Sequence, residues 1–205
     1  MQVYTLNLAP TNVSTNNICT SHSPGAGAIV LAGTLVTDGV ATCGAAQTVK
    51  LTSGGNDSGI TFTVIGTDAD GEAQSETVTG ANASNVDTTK YFKTVTSITH
   101  TGSVAGTLIV GTNVASVSPM FKFYKQVSPA RVAVGISLVS GSMTYTLDDC
   151  FTGPPHTLWI ANATVAAKTG SFEYAYIDTP CMAARVRATA SSTGVLQANF
   201  VIAKA

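Results

Sequence analysis

This 205-residue sequence has little charge: Lys, Arg, Asp and Glu make up 10% of it, against about 25% in an average soluble domain. The ten basic residues are scattered among eleven acidic ones, so no basic stripe for binding nucleic acid is present. No apolar run reaches ~18 residues, the length that a membrane-spanning helix requires. The composition therefore argues against a nucleic-acid-binding protein and against a transmembrane helix.

Helical periodicity and a secretory signal are also lacking. No window places apolar residues at the 3.6-residue spacing of a helix. The first residues show no charged segment followed by an apolar one, so we expect the protein to be made and kept in the cytoplasm. Its four cysteines form no CxxC pair, which favours buried reduced thiols. Disulfides between Cys19 and Cys43 or between Cys150 and Cys181 remain alternatives.

In place of charged residues the sequence is rich in threonine and serine, and it contains nineteen glycines. Apolar and polar residues alternate with a period of two in residues 60–64, 142–147 and 182–189. Such alternation is typical of strands with one buried and one solvated face, and Thr suits a pleated strand because its side chain is β-branched. The sequence therefore predicts an all-β protein.

Turn residues separate these segments. Asp70-Gly71 lies between predicted strands at 60–66 and 72–79, which is a strong hairpin signal. Ser140-Gly141 separates predicted strands at 131–139 and 142–148. Strands that recur about every 8–12 residues are typical of β-sandwiches.

Composition shifts along the chain divide it into three predicted parts. Residues 1–27 are rich in Thr, Asn, Ser, Pro and Gly and predict an extended N-terminal arm. A boundary is expected near residue 126, because Pro129 restricts its predecessor to the extended geometry common in linkers. We therefore predict one β-sandwich-like module at 28–125 and a second at 126–205.

The order of the strand motifs resembles structural proteins of tailed bacteriophages. The motifs are TFTVIGTDADG at 61–71, ETVTG at 76–80, KYFKTVTSI at 90–98 and GTLIVGT at 106–112. The second module is similar to a β module of the same phage proteins, through MTYTLDD at 143–149, Trp159 and ARV at 184–186. The first resemblance extends over residues 47–112, and together with the second module the two cover about three-quarters of the chain. The resemblance implies a component of the virion, without fixing its position there.

Two short segments superficially match chemical sites. Residues 68–72 contain three carboxylates, but glycine and glutamate do not fall at EF-hand positions, so a hairpin turn is preferred. Asp148, Asp149, Cys150 and His156 are close in sequence, which would suit a metal or a Cys-His nucleophile. They lead into the turn-forming 153–155, and no second ligand pair has zinc-like spacing. We therefore predict no catalytic residue, no metal and no cofactor.

Aromatic residues and two arginines are the candidates for contacts between subunits. Phe121, Phe123 and Tyr124 are expected to pack in a core or to anchor an interface. Tyr174 and Tyr176 alternate along one strand and would form a face for a partner or glycan. Arg185 and Arg187 share a strand face, with Asp178 as a candidate partner. They could simply face solvent, but we favour a salt bridge between subunits, because arginine is enriched at interfaces. The predicted interface residues are Phe121, Phe123, Tyr124, Tyr174, Tyr176, Arg185 and Arg187.

The resulting functional hypothesis is a non-enzymatic virion protein, most simply a capsid decoration, or cement, protein. It would form a homo-oligomer, a dimer or trimer, and bind other virion proteins, above all the major capsid protein, through its arm and exposed strand edges. It would bind no nucleic acid or membrane. The alternative is a neck, tail or fibre-associated protein that contacts other virion proteins or a surface receptor or glycan.

Overall fold

The computed structural model describes residues 2–11, 13–23, 25, 27–123, 132–177, 181–191 and 194–202. These residues form seventeen strands and no helix, so the all-β prediction is confirmed. The strands are β1 (Gln2–Leu8), β2 (Ser14–His22), β3 (Gly27–Ala28), β4 (Val36–Thr37), β5 (Val40–Ser53), β6 (Thr61–Thr67), β7 (Ala73–Thr79), β8 (Asn85–Asp87), β9 (Phe92–His100), β10 (Leu108–Val117), β11 (Phe121–Lys122), β12 (Val132–Ser140), β13 (Met143–Cys150), β14 (Trp159–Ala161), β15 (Phe172–Ile177), β16 (Ala183–Ser191) and β17 (Val195–Ile202).

The chain folds as two compact units. The terminal unit contains Met1–Pro10 and Val117–Ala205, and the internal unit contains Thr11–Ser116. The predicted boundary near residue 126 lies outside the described residues. The division found here is different, because the first ten residues belong with the C-terminal half of the chain.

The internal unit is built on the strand order β2-β10-β5-β9-β6-β7, with β3 on β9 and with β4 and β8 on β5. Its core contains the alternate residues Phe62 and Val64 of β6, together with Val95 and Ile98 of β9, which lie on the two sides of a register shift. This alternation is what the period-2 sequence pattern predicted, because successive strand side chains point to opposite faces.

Strand β2 is attached to β10 with two irregularities in register. Gly111 permits the close approach, since a Cβ there would collide with the backbone of Ser14 and Thr15. The buried side chain of Asn17 then bonds Thr112 twice, accepting from its backbone N–H at 3.0 Å and donating to its hydroxyl at 2.8 Å. These contacts fix the strand that ends at His22.

The hairpin predicted at Asp70-Gly71 is present. Strands β6 and β7 pair in uninterrupted antiparallel register from Thr61–Thr79 to Thr67–Ala73. Asp68 Oδ1 accepts from the backbone N–H groups of Asp70 and Glu72, both at 2.9 Å, and Gly71 has a φ of +86°. The aspartate therefore shapes the turn, and glycine takes the left-handed position that other residues disfavour.

The terminal unit contains one sheet in the order β1-β17-β12-β15 and a second group in the order β14-β13-β16, with β11 on β16. Alternate residues of β17 and β16, such as Leu196, Phe200 and Val186, are fully buried. Phe121 of β11 stacks on Phe200 of β17, with ring centroids 4.8 Å apart. Side chains from both groups of strands thus share one core, as in a β-sandwich.

The predicted extended arm at 1–27 is not what the structure contains. Residues Gln2–Leu8 pair with β17 over seven consecutive positions, and Leu8 is buried. Ser14–His22 form β2, in which Ile18 and Cys19 are buried. The prediction of an arm was wrong because a strand with one exposed face needs few apolar residues. The composition of such a strand therefore resembles that of an extended, unpaired segment.

We predict that Gln47→Leu lowers the free energy of unfolding by about 3 kcal/mol, because it removes hydrogen bonds to three buried or half-buried backbone groups. The fully buried Gln47 accepts from the Thr11 N–H at 2.8 Å and donates to the carbonyl oxygens of Thr11 and Asn113. Denaturant unfolding measures the loss. Gln197→Leu is the matched control, since Gln197 makes an exposed 3.4 Å contact with Asn7. Equal effects of the two substitutions would refute this role of Gln47.

Candidate interaction surface

Arg185 and Arg187 lie on β16 and face Asp148 on the neighbouring strand β13. Arg187 binds the carboxylate in a two-point arrangement, with Nε 2.8 Å from Oδ2 and Nη2 3.0 Å from Oδ1. Arg185 Nε lies 3.5 Å from the same Oδ2. The Asp148 side chain is 3% exposed, so the carboxylate depends on these charged partners.

Trp159 completes this cluster. The Arg185 guanidinium lies 4.1 Å from the centre of the indole ring, within the range of a cation–π interaction. Trp159 pairs with Cys150 across β13 and β14, so Asp148, Trp159 and the two arginines share one face of the strands. The arginines are thus engaged inside their own chain. The predicted partner Asp178 lies outside the described residues, and a salt bridge between subunits stays a prediction.

Asp149 has the opposite environment to its neighbour. It is 4% exposed and accepts a 2.8 Å hydrogen bond from Asn162 at Oδ2, while Oδ1 is buried with no hydrogen-bond partner among the described residues. Burial raises the pKa of this carboxyl, opposed by the Asn162 bond and reinforced by the Asp148 charge. Adjacent carboxylates therefore fall on different faces of one strand and meet different chemistry.

Cys150 and His156 do come together, with Sγ 3.8 Å from Nδ1. Nδ1, however, lies 2.9 Å from the Thr152 carbonyl oxygen, which can only accept, so this nitrogen carries a hydrogen and donates it. An Nδ1–H cannot take the thiol proton, and Cys150 is fully buried. These contacts lie in the loop after β13, where the sequence predicted a turn. The pair lacks the arrangement of an activated nucleophile.

All four cysteines are free and buried, in agreement with the favoured prediction of reduced thiols. Burial raises the pKa of Cys43 to about 11 and that of Cys181 to about 12. Thiols with raised pKa values are poor nucleophiles at neutral pH because little thiolate forms. No group of three or more His, Cys, Asp or Glu side chains capable of holding a metal occurs among the described residues.

The aromatic residues predicted as interface anchors pack largely within the terminal unit. Phe121 is 7% exposed and contacts Tyr4, Phe123 and Phe200, with ring centroids 4.8–4.9 Å apart. Phe121 therefore belongs to the core and offers little surface to a partner, which corrects its placement at an interface. Phe123 is half-buried. Its contact with a partner stays a prediction.

The remaining aromatic candidates are placed only in part. Tyr174 and Tyr176 lie on β15, the strand at one end of the four-stranded sheet, and Tyr176 pairs with Ala133 of β12. Tyr124 lies outside the described residues. The face predicted for Tyr174 and Tyr176, and the interface contact predicted for Tyr124, stay predictions.

Sequence reasoning missed an exposed apolar patch beside β14. Phe151, Leu158 and Ile160, hereafter the edge patch, are 38%, 49% and 50% exposed. Phe151 and Leu158 are the next residues beyond the paired Cys150 and Trp159, and β14 is the last strand in its sheet order. The signal was weak, because the patch comes from two short segments that only strand pairing brings together.

Comparison with known proteins adds little to this geometry. No protein-family model and no curated protein sequence matches the chain. Among solved structures, the major capsid protein P2 of bacteriophage PM2 aligns over 99% of this chain and 98% of its own, with 12% identity and a TM-score of 0.21. The STIV major capsid protein aligns over 98% and 96%, with 10% identity and a TM-score of 0.20. Superpositions at such scores establish no common fold, and nothing below depends on them.

We predict opposite effects for substitution of the two adjacent carboxylates. Asp148→Asn should lower the free energy of unfolding by about 2 kcal/mol, because two arginines lose their charged partner. Asp149→Asn should raise it by about 1 kcal/mol at pH 7, because a desolvated charge is removed. Denaturant unfolding of both variants measures the two signs. Destabilisation by Asp149→Asn equal to that by Asp148→Asn would contradict the assignment.

The pH dependence provides a separate check on Asp149. A pKa raised in the folded state means that stability is fully present below the ordinary value of 3.8 and is lost as pH rises through the folded-state pKa. The Asn variant lacks this loss, so its advantage over the wild type should grow from pH 4 to pH 7. An advantage that is constant with pH would show that Asp149 ionises normally in the folded protein.

Proposed function

We propose that this chain is a non-enzymatic structural protein of a tailed-phage virion that decorates and cements the capsid. It would assemble as a homo-oligomer, a dimer or trimer, and bind the major capsid protein without covalent chemistry. The ordered series of Thr-rich strand motifs, which resembles phage structural proteins, is the basis for the virion assignment. The proposal includes no nucleic acid or membrane partner; no helix among the described residues is long and apolar enough to cross a membrane.

The edge patch is the observation that carries the contact with other proteins. Three large apolar side chains lie half exposed within ten residues, beside β14, which is the last strand in the sheet order of the described residues. Clustered apolar surface favours burial against a partner, and an edge strand offers unpaired backbone N–H and C=O groups. A neighbouring protein can therefore bury the side chains and pair with the strand simultaneously.

Low charge supports the same proposal. With ten basic and eleven acidic residues in 205, copies of the chain repel one another weakly at close range. Both arginines that might have charged this region contact Asp148, whose carboxylate offsets one of their two charges. Many weak apolar contacts, repeated over a lattice, would then add through multivalency.

The absence of enzymatic activity is part of the proposal. The carboxylates, thiol and imidazole that the sequence brought into consideration each have a local structural partner: arginine for Asp148, asparagine for Asp149, and the Thr152 backbone for Cys150 and His156. Side chains held in this way stabilise strands and turns. They do not form the nucleophile, base and orienting group that acyl transfer requires.

Co-sedimentation with undecorated shells of the parent phage tests the proposal. The wild-type protein should bind saturably, and the double variant L158S/I160S should lose most of its binding, because it removes apolar area from the contact. The double variant V3S/V139S is the matched control, since both valines are exposed in the same terminal unit, at 52% and 61%. The control should bind like the wild type.

Two outcomes would contradict different parts of the proposal. Wild-type protein that never co-sediments with shells would refute decoration, and its position in a reconstruction of the intact particle would then test the neck, tail or fibre alternative. Binding that survives L158S/I160S would refute the edge patch as the contact. Circular dichroism of all variants verifies that each is folded.

A further inference from the structure

Two histidines that are 78 residues apart in sequence meet in the internal unit. His22 is the last residue of β2 and His100 is the last residue of β9. Their Nε2 atoms are 3.1 Å apart, and the rings meet edge to face with centroids separated by 5.1 Å. The internal unit thus places two imidazole nitrogens within hydrogen-bonding distance of each other.

His100 is held in a defined tautomer. Its Nδ1 lies 2.6 Å from the Gly102 carbonyl oxygen, so this nitrogen carries the hydrogen and donates it. The neutral ring then presents a lone pair at Nε2, toward His22. The His100 side chain is 7% exposed and its ring lies 5.8 Å from that of Phe62, so packing fixes its direction.

This arrangement has the features of a metal-binding histidine. Ligating histidines almost always donate the second ring N–H to a carbonyl, a carboxylate or water, which orients the ligating nitrogen. Imidazole is a preferred ligand of zinc, copper and nickel. The neutral imidazole is the form that binds metal.

In the metal-free protein the same contact is an N–H···N hydrogen bond from His22 to His100. An ion can replace the shared hydrogen if His22 carries its proton on Nδ1 instead, a change of tautomer that leaves the ring neutral. His22 is half-buried, so solvent reaches one side of the pair. Water can therefore enter the remaining coordination positions.

We propose that the Nε2 atoms of His22 and His100 together bind one divalent transition-metal ion, Cu²⁺, Ni²⁺ or Zn²⁺. The described part of the chain supplies no third His, Cys, Asp or Glu at this point, so water completes the coordination. Two protein ligands bind more weakly than the four of a structural zinc site. The bound ion would link the end of β2 to β9, so binding stabilises the folded internal unit.

Calorimetric titration of the untagged, chelator-treated chain with NiCl₂ or ZnSO₄ tests this site. The wild type should bind one ion per chain, and its Tm should rise with metal concentration, because the ion binds the folded state. His22→Gln and His100→Gln should each weaken binding by at least about tenfold, because each removes one of the two protein ligands. His156→Gln should bind like the wild type, since that ring is remote in sequence and bonded to Thr152.

Imidazole NMR separates a metal site from a hydrogen-bonded pair. Added Zn²⁺ should shift the Nε2 resonances of His22 and His100 together while those of His156 stay unchanged. Unmoved resonances, or full metal binding by a His22→Gln variant, would overturn the proposal and leave a hydrogen-bonded pair only. His22→Gln is the decisive variant should His100→Gln fail to fold, because His22 is the more exposed ring.

Discussion

The pairing of the chain's two ends is the constraint on which the architecture depends. Residues Gln2–Leu8 form seven successive pairs with Val195–Ile202, so the first strand is committed to the terminal unit. The chain must then leave after Pro10, build the internal unit and return at Val117. A polar N-terminal segment thus becomes a structural strand. Such pairing between distant residues requires loop closure over nearly the whole chain, a cost that only burial of residues such as Leu8 and Phe200 offsets.

Strand geometry explains the contrast between Asp148 and Asp149. Because successive side chains of β13 point to opposite faces, one carboxylate meets the arginines of β16 and the other meets the desolvated side near Asn162. The first arrangement is a satisfied ion pair, and the second is a buried charge with one unpaired oxygen. A one-residue change of register would exchange these environments, so the ion pair also favours the observed register.

The proposed role follows from what remains exposed after these interactions form. Arg185 and Arg187 share Asp148 as a partner within the chain, Phe121 packs in the core, and the edge patch is left beside an edge strand. An apolar, nearly uncharged edge favours contact with another protein in a repeated assembly. Sequence reasoning named Phe121 and the arginines as contact residues because aromatic and arginine residues are common at interfaces. The sequence does not reveal that Phe121 and the two arginines already contact other residues of the same chain.

What the sequence determined by itself is local: the alternation that makes strands, the Asp68 to Gly71 turn, the outward arginines of β16 and the buried free thiols. Each of these depends on residues close together in the chain, where strand periodicity and turn chemistry decide the outcome. Only the tertiary structure decided that Gln2–Leu8 is a strand, that the edge patch lies beside the last strand of a sheet and that His22 meets His100. Those features depend on which strands become neighbours. Burial over the whole unit sets the pairing between distant segments, and the periodicity of a short stretch of sequence contains no information about that pairing.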